Sequence, residues 1–114
     1  MVENIALMLE VQQGKSIKTA EHEANSILNI LEIDVATKRQ NQCTQLELFY
    51  VMIVRAFLSK FDRVIIVMPF TIVKNLLNLH EVFKKIKQLK QTKECIVIDL
   101  NVNKNRYERL DFAL

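Results

Sequence analysis

Apolar residues along this chain change period several times, and each change marks an element. Val2–Val11 is apolar with scattered polar residues and fits a short helix or a strand. Gly14 breaks that pattern. Ile17, Ala20, Ala24, Ile27, Leu28 and Leu31 then recur at helical spacing, with Ser16 placed to cap the first turn. Lys38–Gln42 is polar and reads as a loop. Gln45–Leu58 is apolar almost all round, interrupted only by Gln45, Glu47 and Arg55, which predicts a buried helix. After the polar connection Ser59–Arg63, the β-branched run Val64–Met68 ends at Pro69 and predicts a strand covered on both faces. Leu76, Leu79, Val82, Phe83, Ile86 and Leu89 outline an amphipathic helix with Lys84, Lys85, Lys87 and Lys90 outside. Cys95–Ile98 reads as a second short buried strand and Leu110–Leu114 as a third.

Helix, strand, helix, strand is the order of parallel α/β units. The expected fold is therefore α/β. An N-terminal helical part, residues 1–60, precedes a small parallel sheet of two or three strands with packing helices, residues 61–114. The 114 residues make one ordinary domain, able to bury roughly two-thirds of its unfolded surface. Half of them are hydrophobic, so a core forms and disorder is not expected. No apolar run approaches the ~20 residues of a membrane span. The opening MVENIALMLEV has no basic n-region and is not read as a signal peptide. Cys43 and Cys95 fit no metal-ligand spacing, and two isolated thiols suggest a reducing, cytoplasmic compartment.

Charge and glycine content narrow the chemistry. The net charge of +3 is too mild to imply nucleic acid by itself. The single glycine, Gly14, excludes a P-loop or a dinucleotide fingerprint. Such loops need several residues without Cβ so that backbone N–H groups can close on phosphates.

The segment QCTQLELFYVMIVRAFLSKFDRVIIVMPF, from Gln42 onward, resembles the signature-helix and Walker B region of ATP-binding-cassette (ABC) transporter ATPases. That family's usual form is Q-LSGGE-QQRVAIARAL, a short gap, four apolar residues and DEP. Gln42 precedes Cys43-Thr44-Gln45-Leu46-Glu47 at the signature position. Arg55-Ala56 matches the Arg-Ala pair, and Val64–Val67, Met68 and Pro69 match the Walker B strand with its proline. Val2–Leu7 is similar to the V-x-E-N-V-A-L segment of the lipid- and lipoprotein-trafficking and cell-division branches. Ala20–Ile33 is similar to the helix carrying A-x-x-L-L-x-x-V/I-G-L. The resemblance covers the second half of a cassette, without the half that carries Walker A.

The resemblance also implies that the chemistry has been lost. The Walker B Asp and the following Glu hold Mg²⁺ and orient the attacking water. Those positions read Val67 and Met68, which can do neither. Gln45 and Leu46 replace the signature glycines, and Leu46 puts a bulky side chain where the γ-phosphate would sit. Lys74 stands for the Asp after the Walker B strand. The switch His would fall near Leu100 or Asn101, far from His22 and His80. Thr44, Gln45, Leu46 and Glu47 are thus degenerate signature positions, and Val67 and Met68 degenerate Walker B positions. No catalytic residue, cofactor or metal ligand is assigned.

The remaining features read blandly. His22 and His80 are taken as surface histidines and not ligands. The Lys84–Lys93 cluster is a solvated face, and no aromatic residue interleaves it as single-strand nucleic-acid binding would need. Lys104, Arg106 and Arg109 flank Tyr107 as a second, weak basic patch. Met8, Met52 and Met68 are assigned to core filling. Asp99 is either a carboxylate at a strand end or a loop and cap residue, and Glu47 caps or solvates its helix. The expected function is a non-catalytic ABC-ATPase-like protein acting structurally or in regulation. It would bind a transporter permease or an intact ATPase subunit, and so could lie peripheral to the inner membrane. The alternatives are a standalone α/β interaction or nucleic-acid-associated protein, or a remnant fragment prone to self-association through open sheet edges.

Overall fold

The computed structural model describes residues 1–72, 79–90 and 93–108. The expectations on Lys74, Leu76, Arg109 and the strand Leu110–Leu114, and those on the side chains of Leu79, His80 and Lys90, fall outside what is described. The chain divides into two compact units, Met1–Lys60 and Phe61–Leu114. The first is helical. The second holds a small parallel sheet with its helices, so the fold is α/β as the element order predicts.

In the first unit, Val2–Gln13 is a helix, α1, which settles the ambiguity between helix and strand. Gly14 ends it at φ 66°, donating its N–H to the Glu10 carbonyl at 3.1 Å. This is the left-handed cap that glycine adopts without a Cβ penalty. Ile17–Ile30 forms α2, and the Ser16 hydroxyl accepts the Thr19 N–H at 3.3 Å. Its buried stripe is Ala20, Ala24 and Leu28. The two alanines let α1 approach closely, and α1 packs on both α2 and α3 (Gln45–Leu58). Ile5, Ala6 and Leu9 of α1, with Phe49, Ile53, Val54 and Phe57 of α3, complete a core that Leu31, Ile33 and Val35 close from the loop after α2.

The end of α2 is less ordinary. The Ile33 N–H reaches the Leu28 carbonyl at 2.9 Å and the Glu32 N–H reaches that of Asn29 at 3.2 Å. These are the two bonds of a Schellman motif, and the buried pair Leu28 and Ile33 supplies its apolar contact. The left-handed residue of the motif is Glu32, at φ 57°, where glycine is the usual occupant.

Several sequence expectations are corrected here. Ile17 is exposed although it lies on the apolar stripe, because it sits in the first turn. Residues 40–42 of the polar loop form a 3₁₀ turn. The helix Gln45–Leu58 is not buried all round: Leu46 and Met52 are exposed. Of the three methionines assigned to the core, Met52 is exposed, and Met8 and Met68 are only partly covered.

In the second unit β1 (Arg63–Val67) and β2 (Glu94–Ile98) pair in parallel, with Arg63 opposite Glu94 and Val67 opposite Ile98. The helices α4 (Pro69–Ile72) and α5 (Leu79–Lys90) lie between them in sequence, and α6 (Lys104–Glu108) follows. Val64, Ile66 and Cys95 are buried on one face, as are Val82, Phe83 and Ile86 on α5. The expectation of strands covered on both faces is overturned: Ile65, Val67 and Ile98 are exposed. Composition could not reveal this, since both faces of the run carry the same β-branched residue types. The expected lysine face of α5 holds for Lys84 and Lys87, which are exposed. Lys85 is largely covered and approaches Glu81 at 3.9 Å.

Candidate functional site

Thr44, Gln45, Leu46 and Glu47, the residues that the resemblance sets against the signature, meet at the start of α3. Thr44 is the N-cap: its hydroxyl accepts the Glu47 N–H at 3.1 Å, and Glu47 Oε1 accepts the Thr44 N–H at 2.9 Å. This reciprocal capping box satisfies two backbone donors that a helix start leaves over. The other carboxylate oxygen of Glu47 accepts from Lys38 Nζ at 2.7 Å. The Lys38 ammonium holds the Glu47 carboxyl below its ordinary range, and the Thr44 N–H adds to the effect against the opposing pull of burial. The same bond raises Lys38. Gln45 and Leu46 occupy the first turn with exposed side chains. Thr44 and one carboxylate oxygen of Glu47 serve the helix start, and the other oxygen ties it to Lys38.

Val67 and Met68, which the resemblance sets against Walker B, close β1. Val67 is its last residue, with an exposed side chain. The Met68 N–H donates to the Ile98 carbonyl at 2.7 Å, carrying the pairing one residue past the strands. Met68 then turns to φ 48°. Pro69, buried, opens α4 where its missing N–H costs nothing. The Met68 carbonyl accepts both the backbone N–H (2.9 Å) and the hydroxyl (2.7 Å) of Thr71.

Parallel α/β sheets bind ligands beyond the carboxyl ends of their strands. Here that region is occupied by the chain's own side chains. Asp99, directly after β2, accepts at Oδ1 from the Leu100 N–H at 2.7 Å and from Asn103 Nδ2 at 2.8 Å. Its Oδ2 accepts the Tyr107 hydroxyl. Burial pushes the Asp99 carboxyl up, but Tyr107, Asn103 and the Leu100 N–H outweigh it, and Arg106 helps, so the net shift is downward. Burial first, and the Asp99 carboxylate second, drive the Tyr107 phenol far above its ordinary value. The Tyr107 ring meets Phe70 and Phe83 edge-on at 5.7 and 6.1 Å, and Arg106 stacks 4.4 Å above Phe70. Asp99 is therefore an anchor that ties the 101–103 turn and α6 to the end of β2. The spacing 99, 103, 107 is a helical one, and that signal could have exposed the cluster in the sequence.

Residues 44–47 fall in the first unit, and Val67 and Met68 in the second. Among the described residues no group of three His, Cys, Asp or Glu side chains could hold a metal ion. Arg55, matched to the Arg-Ala pair, lies partly buried on α3. Its Nε is buried without an acceptor among the described residues, and Nη2 meets the Met8 thioether at 3.8 Å. No sequence signal marks that orphaned donor. Comparison with known proteins finds no match to a family model, to a curated protein or to a solved structure.

Proposed function

We propose that this chain is a non-catalytic relative of ABC transporter ATPases, acting as a structural or regulatory partner of a transporter. The observation that carries the reading is the backbone at Glu32. In the pattern A-x-x-L-L-x-x-V/I-G-L, laid on Ala24–Ile33, the glycine falls on Glu32. That residue holds the positive φ of 57° a glycine would hold. The local geometry fits the family pattern while the residue type has changed. The same contrast supports the reading elsewhere. A capped helix follows Gln42, and a parallel strand runs into a proline-opened helix. The side chains there, Gln45, Leu46, Val67 and Met68, suit neither phosphate nor Mg²⁺.

On this reading the chain works by binding a permease or an intact ATPase subunit, on the cytoplasmic side of the membrane. No helix among the described residues is long and apolar enough to cross a membrane. Two measurements test the proposal together: ATP binding and phosphate release with Mg²⁺ on the purified chain, and co-purification with detergent-solubilised ABC transporter complexes. The expected result is no turnover together with retention of a permease or ATPase subunit. Turnover, or failure to retain either subunit, overturns it.

A further inference from the structure

The uncovered face of the β1–β2 sheet stands apart from any chemistry of the strand ends. Alternation along the strands puts Arg63, Ile65 and Val67 on this face from one strand and Glu94, Ile96 and Ile98 from the other. Ile65 is 54% exposed, Val67 52% and Ile98 51%. Parallel sheets are ordinarily covered on both faces, because their strands are too apolar for water. At the start of the strands, Phe61, Asp62, Arg63 and Glu94 line an open hollow of about 520 Å³. Arg63 Nε and Glu94 Oε2 pair across the strands there at 2.9 Å, with both side chains more than half exposed.

We infer that this face is the contact between two copies of the chain, packed sheet on sheet about a two-fold axis parallel to the strands. The argument rests on self-complementarity. Such an axis lays β1 of one copy over β2 of its partner. The apolar ladder Ile65, Val67, Ile96 and Ile98 then meets its own equivalent across the ~10 Å of a packed sheet pair. The charges match in the same operation, because Arg63 and Glu94 stand at one level on the two strands. Arg63 faces the partner's Glu94, and Glu94 faces the partner's Arg63. A guanidinium has five donors, so Arg63 can keep its own Glu94 and reach the second. An axis perpendicular to the strands would instead set both charges over the apolar end of the other copy. The area agrees with a modest dimer. The half-exposed side chains of Arg63, Ile65, Val67, Glu94 and Ile98 offer on the order of 500 Å² per copy, so the pair buries about 1,000 Å², the lower bound for a specific interface.

Sedimentation velocity of the full chain, from micromolar to several hundred micromolar, tests this. A concentration-dependent dimer that stops at two copies is expected. Ile65→Glu should weaken it at least about tenfold. Ile65→Thr, which keeps the β-branched shape the strand needs, should weaken it less while leaving the far-ultraviolet dichroism unchanged. Arg63→Glu should weaken it by sign reversal. The double exchange Arg63→Glu with Glu94→Arg should return the dimer to within about threefold of the parent. A monomer throughout the range overturns the inference. So does growth beyond two copies, which would mean pairing at strand edges, or a dimer indifferent to Ile65→Thr and Ile65→Glu, or a double exchange that rescues nothing.

Discussion

Glu32 carries its strain in a single dihedral. A non-glycine residue in the left-handed region costs roughly 1–2 kcal/mol, partly offset by the conformational entropy that a glycine would lose on folding. Glu32→Gly is therefore expected to stabilise the chain by about 0.5 kcal/mol, read as a higher urea midpoint at unchanged slope. Gly14 presents the opposite case. A Cβ there would meet no atom within 4 Å, so Gly14→Ala should lose about 1 kcal/mol through its φ of 66° alone. Arg55 is the third. Removing a guanidinium whose buried Nε has no acceptor among the described residues removes an unmet donor, so Arg55→Met should be neutral or stabilising, although most changes at a half-buried helix position destabilise. Asp99 sets a pH dependence. Its folded carboxyl binds a proton less readily than the unfolded one, so its contribution is complete above the unfolded value of about 4. That contribution is lost as pH falls through the lower folded value. Stability measured from pH 6 down to pH 2 should decline less steeply in Asp99→Asn than in the parent.

At the scale of elements, the start of α3 depends on two side chains. Thr44→Ala removes the acceptor for the Glu47 N–H and should cost about 1 kcal/mol, seen as earlier thermal unfolding. Helices were legible in the sequence because their signals are local. Ser16 stands one residue before an apolar stripe, Gln45–Leu58 has the length and period of a helix, and Gly14 sits where a helix must stop. What stayed hidden was which face each element covers. Met52 and Phe57 are equally apolar, yet one is exposed and the other buried, because exposure is decided by neighbours distant in sequence. Ile65 and Ile66 carry the same side chain on opposite faces of one strand. The residue type of Glu32 does not ask for its positive φ. Asp99 was legible as a cap or a strand-end carboxylate. Only its three donors decide between the two.

For the molecule as a whole, the two units rest on different physics. Residues 1–60 bury a continuous helical core, whereas the sheet of the second unit has two strands among the described residues, and such sheets are marginal without further cover. Amide exchange should therefore be slower in α1, α2 and α3 than in β1 and β2, and sample concentration should slow the strands if copies pair through the sheet face.

The two thiols fall one in each unit. Cys43 lies at the start of α3, partly accessible, with its Sγ 3.4 Å from the Arg39 carbonyl. Cys95 is buried on the inner face of β2. An alkylating reagent added to the native protein meets the first directly and the second only when the sheet opens. The ratio of their labelling rates thus makes the chain its own clock for the opening of the strand pair, readable by mass without any introduced probe.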